Sequence, residues 1–145
     1  MKTLFTYVAA LCLVSFSCGQ SSAPETTDQN GAYLKATIDG KAWQASKMTE
    51  YGAGSDYKLV NGEANEITIG FQIHKPTTGL VREFSENYAA DLMAEDGIFG
   101  SRKGKVTVTK VDEKWIEGNF YFTANSLASG KTHEVKNGLF RIPNR

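Results

Sequence analysis

Cysteine is almost absent from this chain, and both examples, Cys12 and Cys18, fall at its amino-terminal end. Everything after Cys18 has no disulfide to close and no thiol nucleophile to offer. Small extracellular domains often depend on such bridges, so this one must stand on a hydrophobic core. Residues 18–145 suffice for that, since a domain near this size buries about two-thirds of its unfolded surface, and one domain is the natural count. No sign of charge dominates either, with 16 basic and 16 acidic side chains. Without a basic stripe or block, nucleic acid is not an expected partner. The nearest approach to one, Arg102-Lys103-Gly104-Lys105, reads as a solvated turn. Long apolar runs are missing as well: the stretch from Leu4 to Val14 falls short of the roughly 20 residues that cross a bilayer.

Catalytic patterns are equally scarce. The only histidines, His74 and His133, are far apart, sit in strand-like surroundings and lack a neighbouring ligand or nucleophile motif. Metal sites usually draw on three or four protein ligands, so neither a metal nor any other cofactor is implied. No serine occupies a Gly-x-Ser-x-Gly elbow. Asp91, Glu95 and Asp96 cluster, yet a glycosidase pair must face each other across a cleft at a defined separation; acids on a turn are ordinarily just solvated.

What is present begins with the amino terminus. Lys2, the apolar stretch Leu4–Val14 and the small residues behind it have the three-part layout of a secretory signal. Its end, Ser15-Phe16-Ser17-Cys18-Gly19, resembles the lipobox of bacterial lipoproteins. That resemblance implies cleavage between Ser17 and Cys18, a diacylglycerol on the Cys18 thiol and acylation of the new amino group. Ser15 departs from the pattern, which usually carries an aliphatic residue there, and Ser15 with Ser17 also suits ordinary signal peptidase, which would release a soluble secreted domain. Two or three acyl chains hold a protein on a membrane where one barely does. From Gly19 to about Asn30 the composition turns to Gln, Ser, Ala, Pro, Glu, Thr and Asp, too polar to bury itself, as in a flexible tether. The expected organisation is therefore a signal over 1–17, lipidated Cys18 with its tether over 18–31, and a folded domain over 32–145. Loss of Lys2 with the signal leaves the remainder with one more acid than base.

From Tyr33 the pattern alternates with period two, the signature of half-buried strands. Leu34, Ala36 and Ile38 share a face; Asp39-Gly40 supplies a tight hairpin turn, and Trp43 lies on the returning strand. Tyr57–Val60 reads as a strand ended by Asn61-Gly62. Ile67, Ile69, Phe71 and Ile73 alternate with Thr68, Gly70, Gln72 and His74 until Pro76 breaks the ladder. Ser85–Glu95 fits a capped helix or a strand pair in which Tyr88, Ala90 and Leu92 face one way and Asp96-Gly97 turns into Ile98-Phe99; the surrounding sheet favours strands. Val106 and Val108, then Ile116, Gly118, Phe120, Phe122 and Ala124, face inward around a turn at Asp112-Glu113-Lys114 and form the expected centre of the sheet. Asn137-Gly138 marks a turn or bulge before Phe140 and Ile142. The fold expected is all-β: a single antiparallel β-barrel or β-sandwich of about eight strands, with a lipocalin- or calycin-like arrangement among the options. Trp43 and Trp115 suit core packing, although aromatics also stack on sugars.

Three stretches, Gly104–Lys110, Gly118–Ala124 and Val135–Phe140, together with the opening Ile38-Asp39-Gly40-Lys41-Ala42-Trp43, resemble small uncharacterised lipoproteins of Bacteroidetes type. The resemblance spans roughly Leu34 to Ile142 and implies a compact barrel-like or sandwich domain with no established activity. Gly19 rather than Asp follows Cys18, and no acidic run comes after it. In such lipoproteins that combination implies an outer-membrane anchor facing the periplasm rather than the cell surface. Two functional classes stay open. One is a non-enzymatic envelope lipoprotein that binds a small apolar molecule, a glycan or another envelope protein; the other is a hydrolase of envelope polymers, which requires carboxylates, or a carboxylate and a histidine, to converge in one cleft. The binding class is favoured. Inward positions filled by Ile, Phe and Leu leave little void, so recognition is expected on loops such as Tyr51–Asp56 and Asn125–Lys131.

Overall fold

Among the described residues every regular element is a strand, as the period-two pattern requires. The computed structural model describes residues 31–52, 56–85, 88–126 and 128–145. The signal, Cys18 and the tether up to Asn30 lie outside these residues, as do parts of both loops singled out for recognition. The strands are β1 Tyr33–Ile38, β2 Lys41–Gln44, β3 Lys47–Gly52, β4 Tyr57–Ala64, β5 Ile67–His74, β6 Val81–Glu83, β7 Ala90–Ala94, β8 Gly97–Val111, β9 Trp115–Asn125 and β10 Thr132–Pro143. They form one antiparallel sheet in the order β2-β1-β10-β9-β8-β7-β5-β4-β3, with β6 paired to β8.

The two ends of that order are joined in sequence. The Ala45 N–H donates to the Leu34 carbonyl on β1 and the next one, of Ser46, to the Glu63 carbonyl on β4 (both 2.9 Å). One bent segment, β2 continued by β3, therefore pairs with β1 through its first half and with β4 through its second. Counted that way the sheet curls into a ring of eight sequential strands, the up-and-down arrangement that leaves no long free edge. The expected strand number is met by the ring. The additions are the bend that splits β2 from β3 and the short β6.

Turn chemistry explains most of the register. Asp39 and Gly40 both take positive φ (48° and 80°), the backbone a two-residue hairpin needs. The Ser85–Glu95 segment resolves in favour of strands: Ser85 and Tyr88 form an isolated bridge, β7 begins at Ala90, and the turn at Glu95-Asp96 leads into β8. Two expectations fail. Asn61-Gly62 does not end β4; the chain runs on to Ala64 and turns at Asn65-Glu66, with φ of 51° and 63°. Gly62 stays within the strand because it lets another part of the wall approach: a Cβ there would sit 2.7 Å from Leu34 Cδ2 and 2.8 Å from Ala45 Cβ. Nor is Arg102–Lys105 a turn. It lies inside β8, where the register against β9 shifts between Gly100 and Lys103 and Gly104 adopts φ 124°.

Aromatic packing fills the interior. Phe71, fully buried on β5, meets Phe120 at 4.8 Å, Phe140 at 5.5 Å and Phe84 at 6.4 Å between ring centroids. Leu34, Val60, Ile69, Ile73, Leu92, Phe99, Ile116 and Ile142 surround them, also inaccessible to solvent. The core is solid, as the residue types predicted. Lys58 is the charged side chain buried among the described residues; its ammonium donates to the Arg145 carbonyl near the end of β10.

Candidate binding surface

Of the titratable residues singled out in the sequence, His133 and Asp96 come together at one rim, while His74 and Asp91 lie elsewhere. His133, on β10, lies at the rim formed by the β1–β2 and β7–β8 turns. Its Nδ1 stands 2.5 Å from Asp39 Oδ2 and its Nε2 3.6 Å from Asp96 Oδ1, while Phe99 packs edge-on against the ring at 4.4 Å. Asp39 also accepts the Glu134 N–H at 2.8 Å and Asp96 binds the Lys131 ammonium at 2.8 Å. Partial burial raises the Asp39 carboxyl, but the Glu134 N–H and His133 outweigh it and leave the group below the usual carboxylate range. The hydrogen bond from Lys131 does the same for Asp96.

This arrangement pins three chain segments together and leaves no ring nitrogen for a substrate. Nδ1 is engaged by Asp39, and Nε2 is buried without a hydrogen-bond partner. A general base must reach the proton it removes. Asp39 and His133 stand 94 residues apart in sequence, a separation that no local motif spans.

His74 lies at the opposite end of the ring, exposed, with Tyr57 edge-on at 4.9 Å and Tyr88 at 5.6 Å. Burial pushes the Tyr88 phenol up to about 12, and the His74 backbone approaches its hydroxyl without hydrogen-bonding geometry. Trp43 is a core residue whose indole N–H donates to the Ala64 carbonyl at 3.2 Å. Trp115 is partly exposed and lies against the Arg141 guanidinium, 5.7 Å from the ring centroid. Neither tryptophan forms an open platform. Among the described residues no group of three or more His, Cys, Asp or Glu side chains could hold a metal ion.

Asp91 leads elsewhere, to the outer face of the sheet. Strand register places Thr49, Asn61, Gly70, Asp91 and Gly100 in one row across β3, β4, β5, β7 and β8. The neighbouring row holds Glu63, Thr68, Met93 and Ile98. Side chains on one face of adjacent strands lie side by side, so two glycines in a row lower the surface between taller flanks. The result is a depression of about 340 Å³ bordered by Leu59, Gln72, Asp91, Met93 and Ile98, continuous through Asn61, Thr68 and Met93 with a second of about 190 Å³. Met93 and Ile98 are 44% and 70% exposed. Asp91 remains exposed, and partial desolvation beside the groove raises its carboxyl above the ordinary range. The sequence did carry a signal for this groove, since glycine within a strand often marks close approach or an open surface, but the row appears only once five strands are in register.

A family model described as "Domain of unknown function (DUF6252)" matches residues 30–143. The chain belongs to the DUF6252 family. The match takes in all ten strands of the DUF6252 domain and therefore both the His133 cluster and the outer groove. No curated protein and no solved structure matches the chain.

Proposed function

We propose that this DUF6252 protein is a non-enzymatic binding domain of the cell envelope, tethered to the outer membrane through acylated Cys18 and facing the periplasm. The reading of the anchor rests on the signal-like start and the lipobox-like residues Ser15–Gly19. The reading of the activity rests on one observation: with the interior packed by aromatic and aliphatic side chains, the groove over Gly70 offers hydrogen-bonding groups beside exposed apolar side chains. Sites of that composition, a few fixed polar groups with apolar neighbours, are typical of binding rather than of acid–base chemistry.

Two measurements test the proposal. Metabolic palmitate should label the wild-type protein and not a Cys18→Ala variant; an unlabelled wild type refutes the anchor. A photo-crosslinking residue at Ile98 should give discrete adducts in cells, whereas one at the exposed turn residue Lys114 should give none. Equal yields at the two positions refute the placement of recognition on this face.

A further inference from the structure

The groove contains polar side chains that the fold itself does not use. Among the described residues, Asn61, Thr68, Gln72 and Asp91 have no side-chain hydrogen bond or ion pair to the rest of the protein. Elsewhere comparable groups are engaged: Asp39, Asp96, Asp112 and Glu117 each hold a cation or a backbone N–H. Asp91 stands between Gly70 on β5 and Gly100 on β8. A Cβ built on Gly100 would lie 3.9 Å from Asp91 Oδ1, so the carboxylate leans over bare backbone. On the other side the Asn61 amide occupies the space that a Cβ on Gly70 would fill. The two polar groups thus cover different glycines of the row, Asn61 over Gly70 and Asp91 toward Gly100.

The charge of the lining is one-sided. Asp91 and Glu63 are its ionisable members, and none of the described lining residues is basic. Lys47 lies opposite Glu63 on β3, beyond the end of the groove. Met93 and Ile98 provide aliphatic surface alongside. An occupant that suits all of this carries a compact cation with several N–H donors on a flexible apolar stem. Lysine has that form: three donors on the ammonium and four methylenes able to lie along apolar surface.

We propose that the outer groove captures a lysine side chain presented by a peptide segment of a protein partner, with the ammonium on Asp91 and the stem against Met93 and Ile98. This inference rests on the reading of that face as the binding surface. Charge complementarity selects the occupant: the lining attracts cations, and desolvating an acid without an ion-pair partner favours a ligand that restores one.

The test uses the detergent-solubilised full-length protein and three blocked tripeptides, Ala-Lys-Ala, Ala-norleucine-Ala and Ala-Glu-Ala, followed through the amide resonances of Gly70 and Gly100. The lysine peptide should shift both resonances, and Asp91→Asn, which keeps the side-chain shape, should weaken its binding by about tenfold, the scale of one lost charge-assisted hydrogen bond. The core resonances of Phe71 and Phe120 should stay in place in that variant. If the norleucine peptide binds as well as lysine, or if Asp91→Asn changes nothing, the lysine assignment fails while the Ile98 cross-linking result stands independently. Equal binding of n-butylamine assigns the groove to free amines and overturns the peptide partner. No shift with any probe overturns the proposal, and the cross-linking yields then decide the reading of the face.

Discussion

Replacing Gly118 by alanine probes the central strand pair directly. Gly118 on β9 faces Phe140 on β10, and one step along the same ladder Gly138 faces Phe120. The two pairs run in opposite senses, each strand giving one glycine and one ring. A Cβ on Gly118 would lie 2.2 Å from the Thr107 carbonyl oxygen on β8, 2.5 Å from Phe140 Cζ and 2.6 Å from Cε1, and one on Gly138 would lie 2.6 Å from the Phe120 carbonyl oxygen and 2.7 Å from both Cδ atoms of that ring. Ordinary carbon contacts begin near 3.5 Å, so the Phe140 ring must retreat by about an ångström. It has nowhere to go: Phe140 is fully buried and stacks edge-on against Phe71, which also touches Phe120.

Overpacking of this kind costs about 1–3 kcal/mol, while the stiffer unfolded chain returns about 0.4–1 kcal/mol. A net loss of about 1–2 kcal/mol is expected, or roughly 3–12 °C in Tm for a domain of this size. Urea unfolding of Gly118→Ala should show a lower midpoint at unchanged slope. Adding Phe140→Leu should relieve the ring contact but not the one with the Thr107 carbonyl, so the double variant should be less destabilised than the sum of the two single changes and still less stable than Phe140→Leu alone. Strict additivity, or a Gly118→Ala protein as stable as wild type, would refute the close-packed pairing.

Two further outcomes follow from the same packing and electrostatics. Phe71→Ala removes the ring that joins Phe84, Phe120 and Phe140 and should cost about 3–5 kcal/mol by denaturant titration; a loss below about 1 kcal/mol contradicts a filled interior. Asp112 is held at about 2 by the Lys110 ammonium and then by the Lys114 and Trp115 N–H groups. Because its folded value lies below its unfolded one, its stabilising contribution is complete above about pH 4 and is lost as pH falls toward 2. The urea midpoints of wild type and Asp112→Asn should therefore differ above that window and converge below it. A gap that persists well below the folded value of about 2 assigns the difference to shape instead of charge.

The contrast between what was legible in the residues and what was not follows from the range over which each signal acts. Period two placed Ile116, Phe120, Phe122 and Ala124 inward because alternation is fixed by the strand backbone itself, and all four are buried. Asp39-Gly40 was readable for the same reason: the turn needs two positive φ values, and those two residues supply them cheaply. Asn61-Gly62 has the same local chemistry, yet it remains extended, since Leu34 and Ala45 from another part of the ring require a side-chain-free neighbour there. Whether an Asx-Gly pair turns is thus decided by what packs above it, which no local window contains. The groove shows the same limit. In sequence Gly70 and Gly100 are separate strand glycines and Asp91 one of a cluster of acids, and only the pairing of β5 with β7 and of β7 with β8 sets them in line. A row across strands is a property of register, and register here is fixed by core residues on the opposite face, Ile69, Phe71, Leu92 and Phe99. Slipping β7 by one residue would bury Asp91 and expose Leu92, so the same hydrophobic pattern that holds the ring together also holds the binding row in place.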